Sequence, residues 1–445
     1  MKLNYKNTFL VGLAFMSIIA FWQLYDNVIP LLLTRTFHLS EDITGVIMAA
    51  DNVLALLLLP LFGWISDRTK SRIGRRMPYI IGGTIVVALL LVLLPFIENG
   101  YAAGREGLLF GLMPFIVVLG LILIAMSVYR SPAVALMPDI TPKPLRSRGN
   151  AVINLMGAAG GIIYLAFTAV MFPKSKTEGV EHVDYTLLFI FMAVFMAVCI
   201  AVLALTVREP VLAAENDKIE KEHPEWNLTE ETKDGGGKLP APVLVSMIFL
   251  LVSIALWYIS YNAVTTWFTT YISVLMGEGL GGASTCFLVA NVGAIVSYIP
   301  IGAAAARFGR KKLIYFGTLL MTASFGVCYF LTTNAASVTV PMYITFALVG
   351  VAWAAISVNS LPMAVEMCKG ADAGRYTGLY YTASMAGQVV TPIFAGFLLK
   401  NVSYKILFIY ATAFAFASFL TMTGVKHGDV KAASKKGLEN FEEMD

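Results

Sequence analysis

The sequence predicts an all-α membrane protein of twelve transmembrane helices, arranged as two pseudo-symmetric six-helix bundles. Three observations predict it. The chain of 445 residues is 58% apolar and only 13% charged, whereas a soluble domain carries about 25% charged residues. Twelve apolar windows reach the roughly 20 residues that a bilayer crossing requires. A short Arg-rich turn also recurs at about half the length, as GWISDRTKSRIGRR from Gly63 and as GAAAARFGRKK from Gly302.

The windows run over 8–33, 44–66, 77–97, 107–130, 150–172, 186–207, 241–273, 283–305, 313–333, 338–362, 377–399 and 404–425. The first is too long for a removable signal peptide and lacks a small-residue cleavage site, so it reads as the first span. Residues 1–207 form the expected N-terminal bundle and 241–425 the C-terminal one. Between them, 208–240 is polar, with mixed charge, Pro224 and the run Gly235-Gly236-Gly237. It reads as a cytoplasmic linker, with an amphipathic surface helix over 211–221. The charged segment 426–445 reads as a cytoplasmic tail. Cys199, Cys286, Cys328 and Cys368 are widely spaced, without a C-x-x-C pair, and read as packing residues.

Basic residues orient the chain. With a cytoplasmic N-terminus, 26 of the 32 Lys and Arg fall on the cytoplasmic side, as the positive-inside rule requires. Both termini are therefore expected in the cytoplasm, with the plasma membrane as the location and the lipid bilayer as a partner. The net charge of +4 reflects topology, and nucleic acid is not an expected partner. The Gly279–Gly282 loop lacks the Lys-Ser/Thr ending of a phosphate cradle, so ATP is not expected either. His38, His182, His223 and His427 all lie in loops or tails, and no metal, catalytic centre or cofactor is expected.

The two halves echo each other beyond the basic turn. Asn52 stands eleven residues before Gly63, as Asn291 does before Gly302. Tyr25-Asp26-x-Val28 is matched by Tyr261-Asn262-x-Val264, and the Asp139…Arg148 spacing by Glu366…Arg375. Recurrence in the same order places a pseudo-twofold axis between the halves. The acid of Asp67-Arg68 has no counterpart in Ala306-Arg307.

At GWISDRTKSRIGRRMPYI (from Gly63) and YRSPAVALMPDITPKPLRSRGNAVINLMGAAGG (from Tyr129), the chain resembles the major facilitator superfamily. It looks most like the glycoside–pentoside–hexuronide:cation symporters and the sucrose-transporter-like branch. The resemblance implies alternating access to a sugar, driven by a cation gradient. The acidic span-2 positions of sodium-coupled members fall near Ala55 and Leu59 here. Their span-4 acid falls on Arg130. H+ therefore becomes the expected coupling cation.

Within the apolar runs, formal charge away from the ends is limited to Asp26, Asp51 and Arg130, and buried charge normally faces a partner or an aqueous cavity. Asp26 and Asp51 fall at matching depth on consecutive spans, a placement suited to cation coupling. The structural alternatives are a hydrogen bond near a helix break at Pro30 for Asp26, and packing beside Asn52 for Asp51. Arg130 is expected either to pair with them or bind substrate, or to snorkel to the surface. A sugar needs hydrogen-bonding groups beside aromatic faces. Trp22, Gln23, Asp26, Asn27, Arg130 and Asn154 supply such a set in the first half; Tyr258, Tyr261, Asn262, Asn291, Asn359 and Gln388 supply one in the second. Trp267 and Tyr271 read as an interfacial belt. Asp67, Arg68, Arg76, Asp139, Arg148, Glu366 and Arg375 are the expected cytoplasmic gate, while Arg72 and Arg75 read as topological charges. Glycines 157, 160 and 161 read as close helix contacts. The leading expectation is a proton-coupled sugar symporter. A drug or lipid antiporter of the same fold is the alternative, and a non-transporting sensor or membrane-embedded enzyme is the alternative of another class.

Overall fold

The computed structural model describes residues 3–105, 107–177, 179–223, 240–333, 335–367 and 373–428. Among these residues it is all-helical. The helices are α1 (Tyr5–Arg35), α2 (Glu41–Arg68), α3 (Met77–Ala102), α4 (Leu112–Asp139), α5 (Arg146–Met171), α6 (Lys174–Thr177), α7 (Thr186–Thr206) and α8 (Glu209–Glu222), then α9 (Ala241–Met276), α10 (Leu280–Phe308), α11 (Arg310–Thr333), α12 (Val340–Glu366), α13 (Ala373–Asn401) and α14 (Ile406–Met422). Among the described residues, eleven helices are long and apolar enough to cross a bilayer. The window at 404–425 yields only the 17 residues of α14, because the chain is still turning at Ser403–Lys405 and turns again at Thr423. The surface helix expected over 211–221 is present as α8, one turn of it being set by Pro210 at the N-terminus.

Local chemistry sets the helix ends. The Asn4 side chain caps α1 by accepting from the Asn7 amide at 3.2 Å. Pro occupies the first turn of α3, α9 and α12, where a missing N–H costs nothing. Gly277 ends α9 at φ +63°, its N–H returning to the Ile272 carbonyl. No helix break occurs at Pro30: α1 continues to Arg35, and one turn further on the Thr34 hydroxyl donates to the Pro30 carbonyl at 2.8 Å.

The chain forms two compact units. Unit 1 comprises residues 1–39, 50–168 and 179–226; unit 2 comprises 40–49, 169–178 and 227–445. In unit 1, α3 packs on α4 and α7, and α1 on α4 and α7. Gly160 lets α5 meet α1 at backbone distance, since a Cβ there would fall 2.0 Å from the Met16 carbonyl oxygen. In unit 2, α12 packs on α10 and α11, and α9 on α13 and α14. The start of α2 belongs to this unit, with Asp42 Oδ2 2.8 Å from Lys400 Nζ. Large apolar side chains such as Leu89, Val170 and Phe330 point outward, as a lipid-solvated surface requires.

Candidate functional site

In unit 1 the polar set gathers on α1, α2, α4 and α5. Trp22 packs edge-on against Phe21 (5.1 Å) and Tyr25 (5.5 Å). The Arg130 guanidinium stands 5.8 Å from its ring centroid, within cation–π range. Arg130 is half-buried and faces Trp22. Asp26 is half-buried and lies within electrostatic reach of Asp51, which in turn lies within reach of Arg130. Asn52 donates to Asp51 Oδ1 at 2.7 Å. Asn27 donates to the Gln23 carbonyl at 2.7 Å, so these two residues partly satisfy each other. Two buried donors, Trp22 Nε1 and Asn154 Nδ2, have no hydrogen-bond partner.

In unit 2 the polar set surrounds an aromatic cluster. Trp257 stacks on Tyr258 at 3.9 Å. Trp353 of α12 meets Trp257 edge-on at 5.0 Å and lies 4.1 Å from Tyr261. Trp353 did not figure in the sequence reading; its signal was a lone tryptophan in mid-span. Trp257 Nε1 and Asn262 Nδ2 are buried donors without a partner. Gln388 is half-buried. Asn291 donates to the Phe287 carbonyl (2.9 Å) and Asn359 to the Ala355 carbonyl (2.8 Å), each within its own helix. Trp267 and Tyr271 do not form an interfacial belt, because both are fully buried. Tyr271 bonds to the Thr332 hydroxyl and packs at 5.2 Å on Phe408.

The Arg-rich turn of unit 1 is built around Arg76. This residue is 4% exposed, and a buried guanidinium must be paired. Its Nε lies 2.8 Å from Asp139 Oδ2, and it also contacts Asp67 and the Ser66 hydroxyl. Burial opposes its charge, but Asp139 and Asp67 more than offset that, so it is held above the usual arginine value. Arg75, read from sequence as topological, pairs with Asp139 Oδ1 at 2.8 Å. Arg68 instead stacks over Trp64 at 3.9 Å, and Arg72 and Arg148 are exposed. The side chains of Glu366 and Arg375 lie outside the described residues.

A further member was missed. Glu209, 1% exposed at the start of α8, accepts from the backbone amides of Arg75 (2.8 Å), Arg76 (2.9 Å) and Met77 (2.9 Å). It therefore supplies the capping carboxylate that the first turn of α3 lacks. Asn216 and Glu220 extend the contact along α8, donating to the Asp139 carbonyl at 3.2 Å and pairing with Arg146 at 2.9 Å respectively. Nothing in the local sequence joins Glu209 to a turn 133 residues earlier.

The model of the Major Facilitator Superfamily matches residues 11–297 and 278–440. The chain belongs to the major facilitator superfamily. Its fold and its relatives are those of membrane transporters. Among relatives, the sucrose transport protein SUT3 of Oryza sativa subsp. indica is 27% identical over 139 residues, covering 29% of this chain and 28% of that protein. The candidate glycoside/cation symporter YagG of Escherichia coli (strain K12) is 24% identical over 164 residues, covering 37% and 34%. The matched stretches thus span about a third of the length of these relatives. Among solved structures, the nucleoside transporter NupG aligns with TM-score 0.65 at 13% identity, covering 94% of this chain and 100% of that one. A bacterial homologue of the human drug peptide transporters PepT1 and PepT2 aligns with TM-score 0.67 at 13% identity, covering 95% and 98%. At such identity the structures establish the fold. The Arg76–Asp139–Asp67 cluster is thus the Arg-rich turn of a superfamily transporter.

Proposed function

We propose that this transporter is a proton-coupled symporter of a glycoside or oligosaccharide, working by alternating access across the plasma membrane with both termini in the cytoplasm. The observation that carries the reading is the pairing of two kinds of site. Unit 1 holds an acidic pair beside an aromatic ring and a guanidinium; unit 2 holds an aromatic wall beside unpartnered donors. Within unit 2, a sugar offers apolar C–H faces to rings such as Trp257 and Trp353, and oxygen acceptors to a donor such as Asn262 Nδ2. The partial likeness to sucrose transport proteins of Oryza sativa and to YagG supports the substrate class.

In this reading Asp26 and Asp51 carry the coupling proton. Two carboxylates within reach of each other in a low-dielectric layer repel when both are charged, so they favour holding one proton between them. Arg130 is the group that can take over as partner to Asp51 when the proton leaves. Trp22, Gln23, Asn27, Asn154, Tyr258, Tyr261, Asn262, Asn291, Asn359 and Gln388 are proposed as the substrate-facing set, with Trp353 added to it. Asp67, Arg68, Arg76, Asp139, Arg148, Glu366 and Arg375 are proposed as the cytoplasmic gate, and residues 1–207 and 241–425 as the moving halves.

Counterflow tests the reading. Proteoliposomes loaded with unlabelled sugar are assayed for exchange of labelled sucrose, maltose or a plant glucoside, which needs binding but no net proton movement. Exchange of at least one sugar, competed by a second sugar and not by a hydrophobic cation, supports the substrate class. Exchange of a hydrophobic drug alone contradicts it.

A further inference from the structure

At the C-terminal end of α3, a chain of hydrogen-bonding groups runs from solvent to a buried acid. Asp184 is exposed, and its Oδ1 accepts from Asn99 Nδ2 at 2.8 Å. Asn99 Nδ2 also donates to the Thr186 hydroxyl at 2.8 Å. Asn99 Oδ1 stands 2.7 Å from His182 Nε2. His182 Nδ1, in turn, faces Glu98 Oε1 at 3.5 Å. Glu98 is 0% exposed. Its Oε1 accepts from the Thr36 hydroxyl at 2.5 Å, and its Oε2 has no hydrogen-bond partner.

The chain fixes the tautomer of the ring. A carboxylate such as Asp184 only accepts, so the Asn99 amide must turn its NH2 toward it and its carbonyl toward His182. A carbonyl also only accepts, so His182 Nε2 must carry hydrogen. In a neutral ring Nδ1 is then a bare lone pair, aimed at a carboxyl oxygen. A lone pair and an ionised oxygen repel, and the Thr36 hydroxyl that donates to Oε1 leaves Nδ1 without a hydrogen. One proton shared between Nδ1 and Oε1, 3.5 Å apart, turns that repulsion into attraction. Burial lowers the His182 imidazole below its ordinary value, with Asp184 acting the other way, so the ring takes up no proton alone at neutral pH. The proton between the groups belongs to the pair.

Other charged and titratable groups face this cluster from every side. Arg35 and Thr36 come from the end of α1, with Arg35 in electrostatic reach of Tyr185. Tyr185 is itself in reach of Glu98, and Asp184 of His182. Arg105 lines an open cleft with Asn99 and Thr186, which gives solvent a route to the relay. Asp184 is held below the usual carboxylate range by its bonds to Thr186 and Asn99, against the burial that opposes them. It stays charged and keeps the amide oriented.

We propose that Glu98 and His182 form a proton-binding site, separate from Asp26 and Asp51, which holds one proton and while occupied ties the segment before α7 to the end of α3. Loss of that proton as pH rises sets the Nδ1 lone pair against the carboxylate and weakens the tie, leaving the bonds of Asn99 to Asp184, Thr186 and His182. The site is a pH-responsive catch on unit 1, and it stands on this geometry alone, independent of the substrate.

The test uses the full chain in nanodiscs, with labelled histidine. The chain has four histidines, and His182→Gln assigns the resonance. The expected result is an Nε2–H ring at pH 7, with no titration step of a free imidazole near the usual value of about 6.5. An Nδ1–H ring, or a simple step near that value, overturns the proposal. Thermal unfolding midpoints across pH 6–9 give a second reading. In Glu98→Gln the side-chain amide donates permanently to Nδ1, so this variant should lose the pH-dependent fall of the wild type, a difference of roughly 2 °C at the alkaline end. His182→Gln should lose it too, and serves alone if Glu98→Gln does not fold. Identical profiles for wild type and the folded variant overturn the proposal.

Discussion

Trp353 contributes what no polar residue of unit 2 can, a second broad ring at an angle to Trp257. The two centroids lie 5.0 Å apart with planes at 77°, and the edge-to-face corner they form is part of the proposed substrate-facing set. Replacing Trp353 with Leu keeps apolar bulk but removes the corner. Aromatic contacts are worth about 0.5–1.5 kcal/mol beyond burial, so the half-saturation concentration for sugar uptake should rise about three- to tenfold, while Trp353→Phe keeps most of the affinity. An unchanged value in both variants would remove Trp353 from the substrate-facing set. The residue scale is also where the sequence said least. Asp26, Asp51 and Arg130 were legible because charge inside an apolar run is costly and rare. The pairing of Arg75 with Asp139, and the burial of Trp267 and Tyr271, were not, because side-chain direction depends on neighbours distant in the chain.

Helices meet in two different ways, and each has its own test. The α1–α5 contact is backbone against side-chain-free backbone at Gly160. Gly160→Val must push the helices apart, which costs about 1–3 kcal/mol as overpacking does elsewhere and should lower the unfolding midpoint in detergent. Gly82 of α3 has nothing within 4 Å of its would-be Cβ. Gly82→Ala should therefore be neutral or stabilise by up to about 1 kcal/mol, and a loss comparable to that of Gly160→Val would contradict the packing. The α8–α3 contact is electrostatic instead. Glu209→Ala leaves three backbone amides without their acceptor, at about 1–3 kcal/mol for the uncompensated set, and should lower the midpoint more than Glu215→Ala on the exposed face of the same helix. Helix positions were legible from hydropathy and Pro or Gly punctuation. The docking of α8 was not, since its amphipathic pattern says that it lies on a surface and not which turn it caps.

For the whole molecule, composition was enough to point to an all-helical membrane chain, because a bilayer permits few ways to satisfy a backbone; the superfamily was legible only from the resemblance at the stretches from Gly63 and Tyr129. The short α14 shows the limit of that logic: hydropathy marks a window, but the turns at its ends decide how much of it is helix. The proposed coupling belongs to this scale, since a proton held at Asp26 and Asp51 would do work only if its binding were tied to substrate movement. The most direct test is labelled sugar uptake into proteoliposomes under an imposed pH gradient, acid outside, with Asp26→Asn alongside. Accumulation driven by the gradient, abolished by an uncoupler and lost in Asp26→Asn while counterflow persists, is the predicted result. Uptake that follows a sodium gradient and ignores pH, or an Asp26→Asn variant that still accumulates sugar, would contradict it.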